Sequence, residues 1–140
     1  MNQAQEFYVK NIHGIDHILG GSLSLKKQIP SFREPTDIDV MITGYQLDAL
    51  KYYMQGLEAS EYGEGIYSCK FNDGSKIDLI TVVYGIEKID TVTIGGLKYL
   101  SIKEIVKYKI KLIEKSIESN HFNEHNKHLQ DLIFINNHSK

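Results

Sequence analysis

The stretch DIDVMI, residues 37–42, alternates strictly, with Ile38, Val40 and Ile42 on one side and Asp37, Asp39 and Met41 on the other. That period-two pattern is a β-strand with one apolar face. It also puts two carboxylates on the same face of one strand, roughly 7 Å apart along the chain. Inside a stretch that otherwise reads as buried, such charge is costly. Two acids this close raise each other's pKa unless a cation sits between them.

The rest of the chain limits what can surround that strand. At 140 residues it is one domain's worth and long enough to bury most of its apolar surface. We read residues 1–140 as a single domain, with a sheet core over 1–99 and C-terminal helices over 100–140. No apolar run approaches the ~18 residues needed to cross a bilayer. The N-terminus, MNQAQEFYVKN, lacks the layout of a signal peptide. With one cysteine, Cys69, in a strand-like segment, these features predict a cytoplasmic protein with a small buried thiol. The net charge of −2 gives no global argument for nucleic-acid binding. His121, His125, His128 and His138 crowd the end of the chain without the cysteine or acid pattern of a zinc site, so they read as a solvated helix face.

Periodicity and turn residues give the order of elements. Residues 2–12 predict a helix with Phe7, Val9 and Ile12 towards the core, and 15–19 predict a strand ending in Gly20-Gly21. Residues 22–28 predict a short helix capped by Ser22. Two prolines make QIPSFREP a loop. Residues 45–58 have helical spacing at Leu47, Leu50, Tyr53/Met54 and Leu57. IYSCKF and KIDLITVVY read as a hairpin through NDGS, and TVTI (91–94) as another strand. Ser101-x-x-Glu104 is a capping box opening a helix with Ile102, Ile105, Val106, Ile110, Ile113 and Ile117 on one face. A last helix near 124–136 should bury Leu129, Leu132, Ile133 and Ile135. The order α-β-α-β-α-β-β-β-α-α predicts an α+β fold, a mixed sheet with helices packed on it.

Asp78, in KIDLI, is a third acid inside an apolar strand, and strand pairing could bring it beside Asp37 and Asp39. Three carboxylates on adjacent strands can hold two Mg2+ ions about 4 Å apart, with Mn2+ as an alternative. Gly20, Gly21 and Ser22 would then let backbone amides at a helix start approach a phosphate. Arg33, four residues before Asp37, is a candidate substrate contact. The plain alternative is that Asp37 caps a turn and Asp39 solvates an edge strand.

HILGGS, TDIDVMI and KIDLI together resemble the nucleotidyltransferase superfamily whose catalytic domain is shared with DNA polymerase beta. That pattern runs apolar strand, Gly-Gly or Gly-Ser, short helix, Asp-apolar-Asp, and a later strand with a third acid. GGSLSL…R…TDIDV looks most like the branch with AbiEii-type toxins, and like small aminoglycoside- and lincosamide-modifying enzymes. LSIKEIVKYK resembles a toxin-branch phrase that puts its lysine at Lys109, and KHLQDL resembles one that puts its acid at Asp131. His128 stands where that phrase has its first aspartate. The resemblance implies transfer of a nucleotidyl group from an NTP such as ATP to a hydroxyl on RNA, a protein or a small molecule. It implies Asp37, Asp39 and Asp78 as metal-binding catalytic groups, Lys109 on the triphosphate and Asp131 in support. A cognate protein partner, as in a toxin–antitoxin pair, fits the same branch. A nucleotide-binding module without turnover is the alternative. Lys103, Lys107, Lys111 and Lys115 repeat every four residues, as a solvated helix face or a stripe for RNA phosphates.

Overall fold

A computed structural model describes residues 1–35, 37–51, 58–59, 65–82, 86–118 and 122–138. Along the chain run α1 (Gln3–Asn11), β1 (Ile18–Gly20), α2 (Gly21–Gln28), β2 (Asp37–Thr43) and α3 (Gly44–Leu50). Next come β3 (Glu58–Ala59), β4 (Ile66–Lys70), β5 (Lys76–Val82), a 3-10 turn (Ile86–Lys88), β6 (Thr91–Ile94) and β7 (Leu97–Leu100). Two long helices, α4 (Ile102–Glu118) and α5 (Phe122–His138), follow. The fold is α+β, and the described strands form one mixed sheet in the order β3-β4-β5-β2-β1-β7-β6.

The alternation of β2 decides the centre of the molecule. β2 runs antiparallel to β1 and parallel to β5, and β5 runs antiparallel to β4. On one face Ile38, Val40, Ile42, Ile77, Leu79 and Cys69 are buried with α1 and α3 residues Ala4, Tyr8, Ile12, Leu47 and Leu50. On the other face Ile18, Leu25, Phe32, Leu100, Ile105 and Ile135 form a second core, built mainly from α2, α4 and α5. That second face also carries the acids. Among the described residues no helix is long and apolar enough to cross a membrane.

Several local expectations change. Of the residues expected to face the core, Ile12 at the C-cap of α1 is buried and Phe7 packs against that core, but Val9 is 55% exposed, and Ala4 and Tyr8 are the buried positions of the helix. The Asp73-Gly74 hairpin forms, and its side chains do a second job: Asp73 accepts from the Gln3 amide and the Ser75 hydroxyl from the Ala4 amide, satisfying donors at the start of α1. Gly95 and Gly96 both take positive φ, 59° and 82°, and join β6 to β7 as a two-residue hairpin. α2 begins one residue earlier than expected, with Gly20 at its cap and no side-chain capping bond, so Ser22 does not cap it. The capping box of α4 is half made. The Ser101 hydroxyl accepts from the Glu104 amide, but the Ser101 amide donates to the Asp90 carbonyl, and Glu104 instead reaches Lys107 at 3.5 Å.

The apolar stripes of α4 and α5 are also rotated from expectation. Ile105, Lys109 and Ser116 are the buried positions of α4, while Ile110 and Ile117 are exposed. On α5, Asp131 and Ile135 are buried, while Leu129 and Ile133 are exposed. A buried ion pair between these helices, Lys109 with Asp131, sets their facing surfaces. The helix expected over 45–58 is formed over Gly44–Leu50, and Glu58 instead opens β3; Tyr53, Met54 and Leu57 lie outside the described residues, as does His121.

Candidate active site

Strand register brings the site together. Gly20 pairs with Asp39, Asp39 with Asp78, and Asp78 with Ser68, so four adjacent strands contribute one row of residues. One step along, Asp37 pairs with Lys76. Period two then puts Asp37, Asp39, Lys76 and Asp78 on one face. The parallel pairing of β2 with β5 supplies Asp78; the predicted hairpin of β4 with β5 adds Ser68, whose hydroxyl donates to Asp78.

Gly21 closes the near side of this row. Its φ is +57°, and a Cβ at that position would stand 1.9 Å from Asp39 Oδ2. Both facts require glycine. The turn that precedes α2 is therefore packed directly on the carboxylate, which is what allows three elements to converge there.

The electrostatics follow from this crowding. Burial pushes the Asp39 carboxyl up to about 7, and the neighbouring Asp78 adds to the rise by its charge and by a hydrogen bond between the two carboxyls. The charge of Lys109 pulls the other way. Burial and the same two acids raise the Tyr108 phenol, which stays neutral. Lys76 places its ammonium 3.4 Å from Asp78 and 3.9 Å from Asp37.

A second cluster lies alongside. Asp131 accepts from Lys109 at 2.8 Å and from Arg33 at 3.1 Å, and Arg33 also donates to the Ser22 hydroxyl. The Lys109 and Asp131 side chains are 6% and 5% exposed, so theirs is a buried pair. Burial alone would raise the Asp131 carboxyl, but the bonds and charges of Lys109 and Arg33 outweigh it and hold it low. His128 stands 3.4 Å from Lys109, and burial with that lysine's charge lowers it to about 4, leaving it neutral near pH 7. Phe32 packs edge-on against Phe134 at 5.1 Å and anchors the loop that carries Arg33.

The structure thus joins Asp39, Asp78, Gly20 and Gly21 in one cluster and Ser22, Arg33, Lys109 and Asp131 in another. Asp37 shares their sheet face, paired with Lys76. Among the described residues no three His, Cys, Asp or Glu side chains stand together at metal-holding spacing. The donor set still suits a hard divalent cation: carboxylates from adjacent strands, in register and already drawing in a lysine ammonium. His128, expected on a solvated helix face, is instead partly buried beside Lys109, and Lys76, Ser68 and Tyr108 are further neighbours of the acids. Lys76 was legible, since Lys-x-Asp obeys the same alternation as Asp-x-Asp. Ser68 required the hairpin register. Tyr108 and His128 needed the helix rotations.

No family model matches the chain, and no curated protein matches its sequence. Solved structures do resemble it. A Thermotoga maritima protein, provisionally described as a nucleotidyltransferase, superposes with a TM-score of 0.57 over 91% of this chain and 96% of that one, at 15% identity. The fold is nucleotidyltransferase-like. Two Helicobacter pylori structures, JHP933 and a provisional nucleotidyltransferase, match 77% of this chain at 16% identity, with TM-scores of 0.48 and 0.49. The chain spans about half the length of those two, 53% and 55%. At such identities the likeness is one of fold, and chemistry has to be argued from the site.

Proposed function

We propose that the chain transfers a nucleotidyl group from an NTP to a hydroxyl acceptor. The observation that carries this reading is the in-register pair Asp39–Asp78, packed against a positive-φ glycine at the start of α2. Asp37, Asp39 and Asp78 would hold Mg2+ or Mn2+, which when bound supplies Lewis-acid neutralisation of phosphate charge. Asp78, oriented by Ser68, is suited to take the acceptor hydroxyl's proton. Gly20, Gly21 and Ser22 would face the triphosphate, with Arg33 and Lys109 as cations and Asp131 holding both in place. The Lys109–Asp131 pair supports the resemblance to AbiEii-type toxins, and we extend the proposal to that branch, with RNA, a protein or a small molecule as acceptor and a cognate protein as partner.

One observation favours a second reading, nucleotide binding without turnover. The carboxylates are partly satisfied by Lys76 and are not gathered as a three-ligand cluster. Incubation with each labelled NTP, Mg2+ and total RNA or cell lysate separates the two. Enzymatic transfer should fall by more than about a hundredfold in Asp39→Ala, with the fold retained by circular dichroism. Undiminished labelling by that variant would refute the enzyme reading. Metal-dependent NTP binding with no labelled acceptor would favour the binding module.

A further inference from the structure

Among the described residues, Lys76 is the cation held between two of the candidate metal ligands. Asp37 is its direct ladder partner, and Asp78 lies two residues along the same strand. Its ammonium reaches both, at 3.9 Å and 3.4 Å. Asp78 is engaged on both oxygens, with Oδ2 facing Lys76 and Oδ1 accepting from Ser68. The lysine side chain is 31% exposed, so it can swing towards solvent without stranding a buried charge.

We propose that Lys76 is a resident counter-ion of the carboxylate site, a positioning residue that competes with the divalent cation for Asp37 and Asp78. This rests on the metal-dependent reading above. The same carboxylate oxygens cannot face an ammonium and a divalent ion at full strength together, because the two cations repel at such range. Binding of the ion therefore displaces Lys76. Once displaced, the lysine remains tethered beside the site, where a polyanionic triphosphate is the natural partner for its charge. Occupancy by metal alone is thereby disfavoured, and occupancy by metal with a polyphosphate is favoured. Before either arrives, Lys76 limits the repulsion among three acids crowded on one sheet face.

Mn2+ binding to the full chain, measured by calorimetry at pH 7.5 without nucleotide, tests this directly. Lys76→Gln should bind Mn2+ about tenfold more tightly than the wild type, because the competing charge is gone. Lys76→Arg should keep the weaker wild-type affinity, because the charge is kept. Added inorganic tripolyphosphate should strengthen Mn2+ binding in the wild type more than in Lys76→Gln. Equal or weaker Mn2+ binding by Lys76→Gln overturns the role of Lys76 and leaves the metal site standing. No Mn2+ binding by any variant at millimolar concentration overturns the metal-dependent reading and this inference with it.

Discussion

The two faces of β2 and β5 are made from alternate residues of the same strands, and they obey opposite rules. Ile38, Val40, Ile42, Ile77 and Leu79 on one face are at most 6% exposed and closed over by α1 and α3. On the other, Asp37, Asp39 and Asp78 stand beside Lys76, whose ammonium lies between Asp37 and Asp78, and burial with the neighbouring Asp78 raises the Asp39 carboxyl. The apolar face contributes stability through burial. The acid face spends some of it, holding charge where water is scarce. A strand can carry this destabilised row only because its reverse side fixes its position. Stability and chemistry are separated by face, although the residues alternate along a single backbone.

The largest expected effect lies on the apolar side. Leu79 is fully buried, and Leu79→Ala should cost about 3 kcal/mol in urea unfolding. A loss below about 1 kcal/mol would mean that this face does not anchor the strands.

Next comes the contact between the Gly-Gly turn and the acid row. Gly21→Ala should cost about 2 kcal/mol, from the positive φ and from collision with Asp39. The same change made in an Asp39→Ala background should cost less, since only the backbone strain remains. Strict additivity of the two changes would deny that the turn is packed on that carboxylate.

The smallest effect sharpens the contrast in sign. Folded Asp39 keeps its proton up to about pH 7, whereas the carboxyl's ordinary value is 3.8. Between those values the folded chain binds more protons than the unfolded one, so this residue's contribution to stability falls as pH rises. Asp39→Asn should remove that slope. Without divalent cations it should stabilise the protein by roughly 1–2 kcal/mol at pH 8 and make little difference below pH 4. His17 and His128, both held neutral mainly by burial, act oppositely in the acid range, with stability lost as pH falls below the ordinary histidine value of 6.5. The informative quantity is therefore the difference between variant and wild type across pH. A pH-independent difference would show that Asp39 titrates normally.

Much of the site was legible from residue types and spacing. Alternation put Asp37 and Asp39 on one face, and the third acid was visible as a charge inside KIDLI. The Gly-Gly turn before a short helix was visible too. Less legible were the helices beyond residue 100. Counting isoleucines pointed α4 towards Ile110 and Ile117, but the structure turns Lys109 inward because Asp131 meets it there, with Arg33 on the same carboxylate oxygen. Lys109 itself stands out, off the stripe of Lys103, Lys107, Lys111 and Lys115 and close to the isoleucine face, whereas its partner Asp131, 22 residues away, is marked only by the resemblance of KHLQDL.

By itself the sequence determined the elements whose causes are local: the strand alternation at 37–42, the Asn-Asp-Gly hairpin and the start of α4 at Ser101. Backbone geometry sets these within a few residues. Only the tertiary structure decided that β5 lies parallel to β2 with Asp78 beside Asp39, that Lys76 sits between Asp37 and Asp78, and that Lys109 meets Asp131. Those pairings join distant stretches of chain. Their register is chosen by the packing of whole faces against one another, which no short stretch of chain encodes.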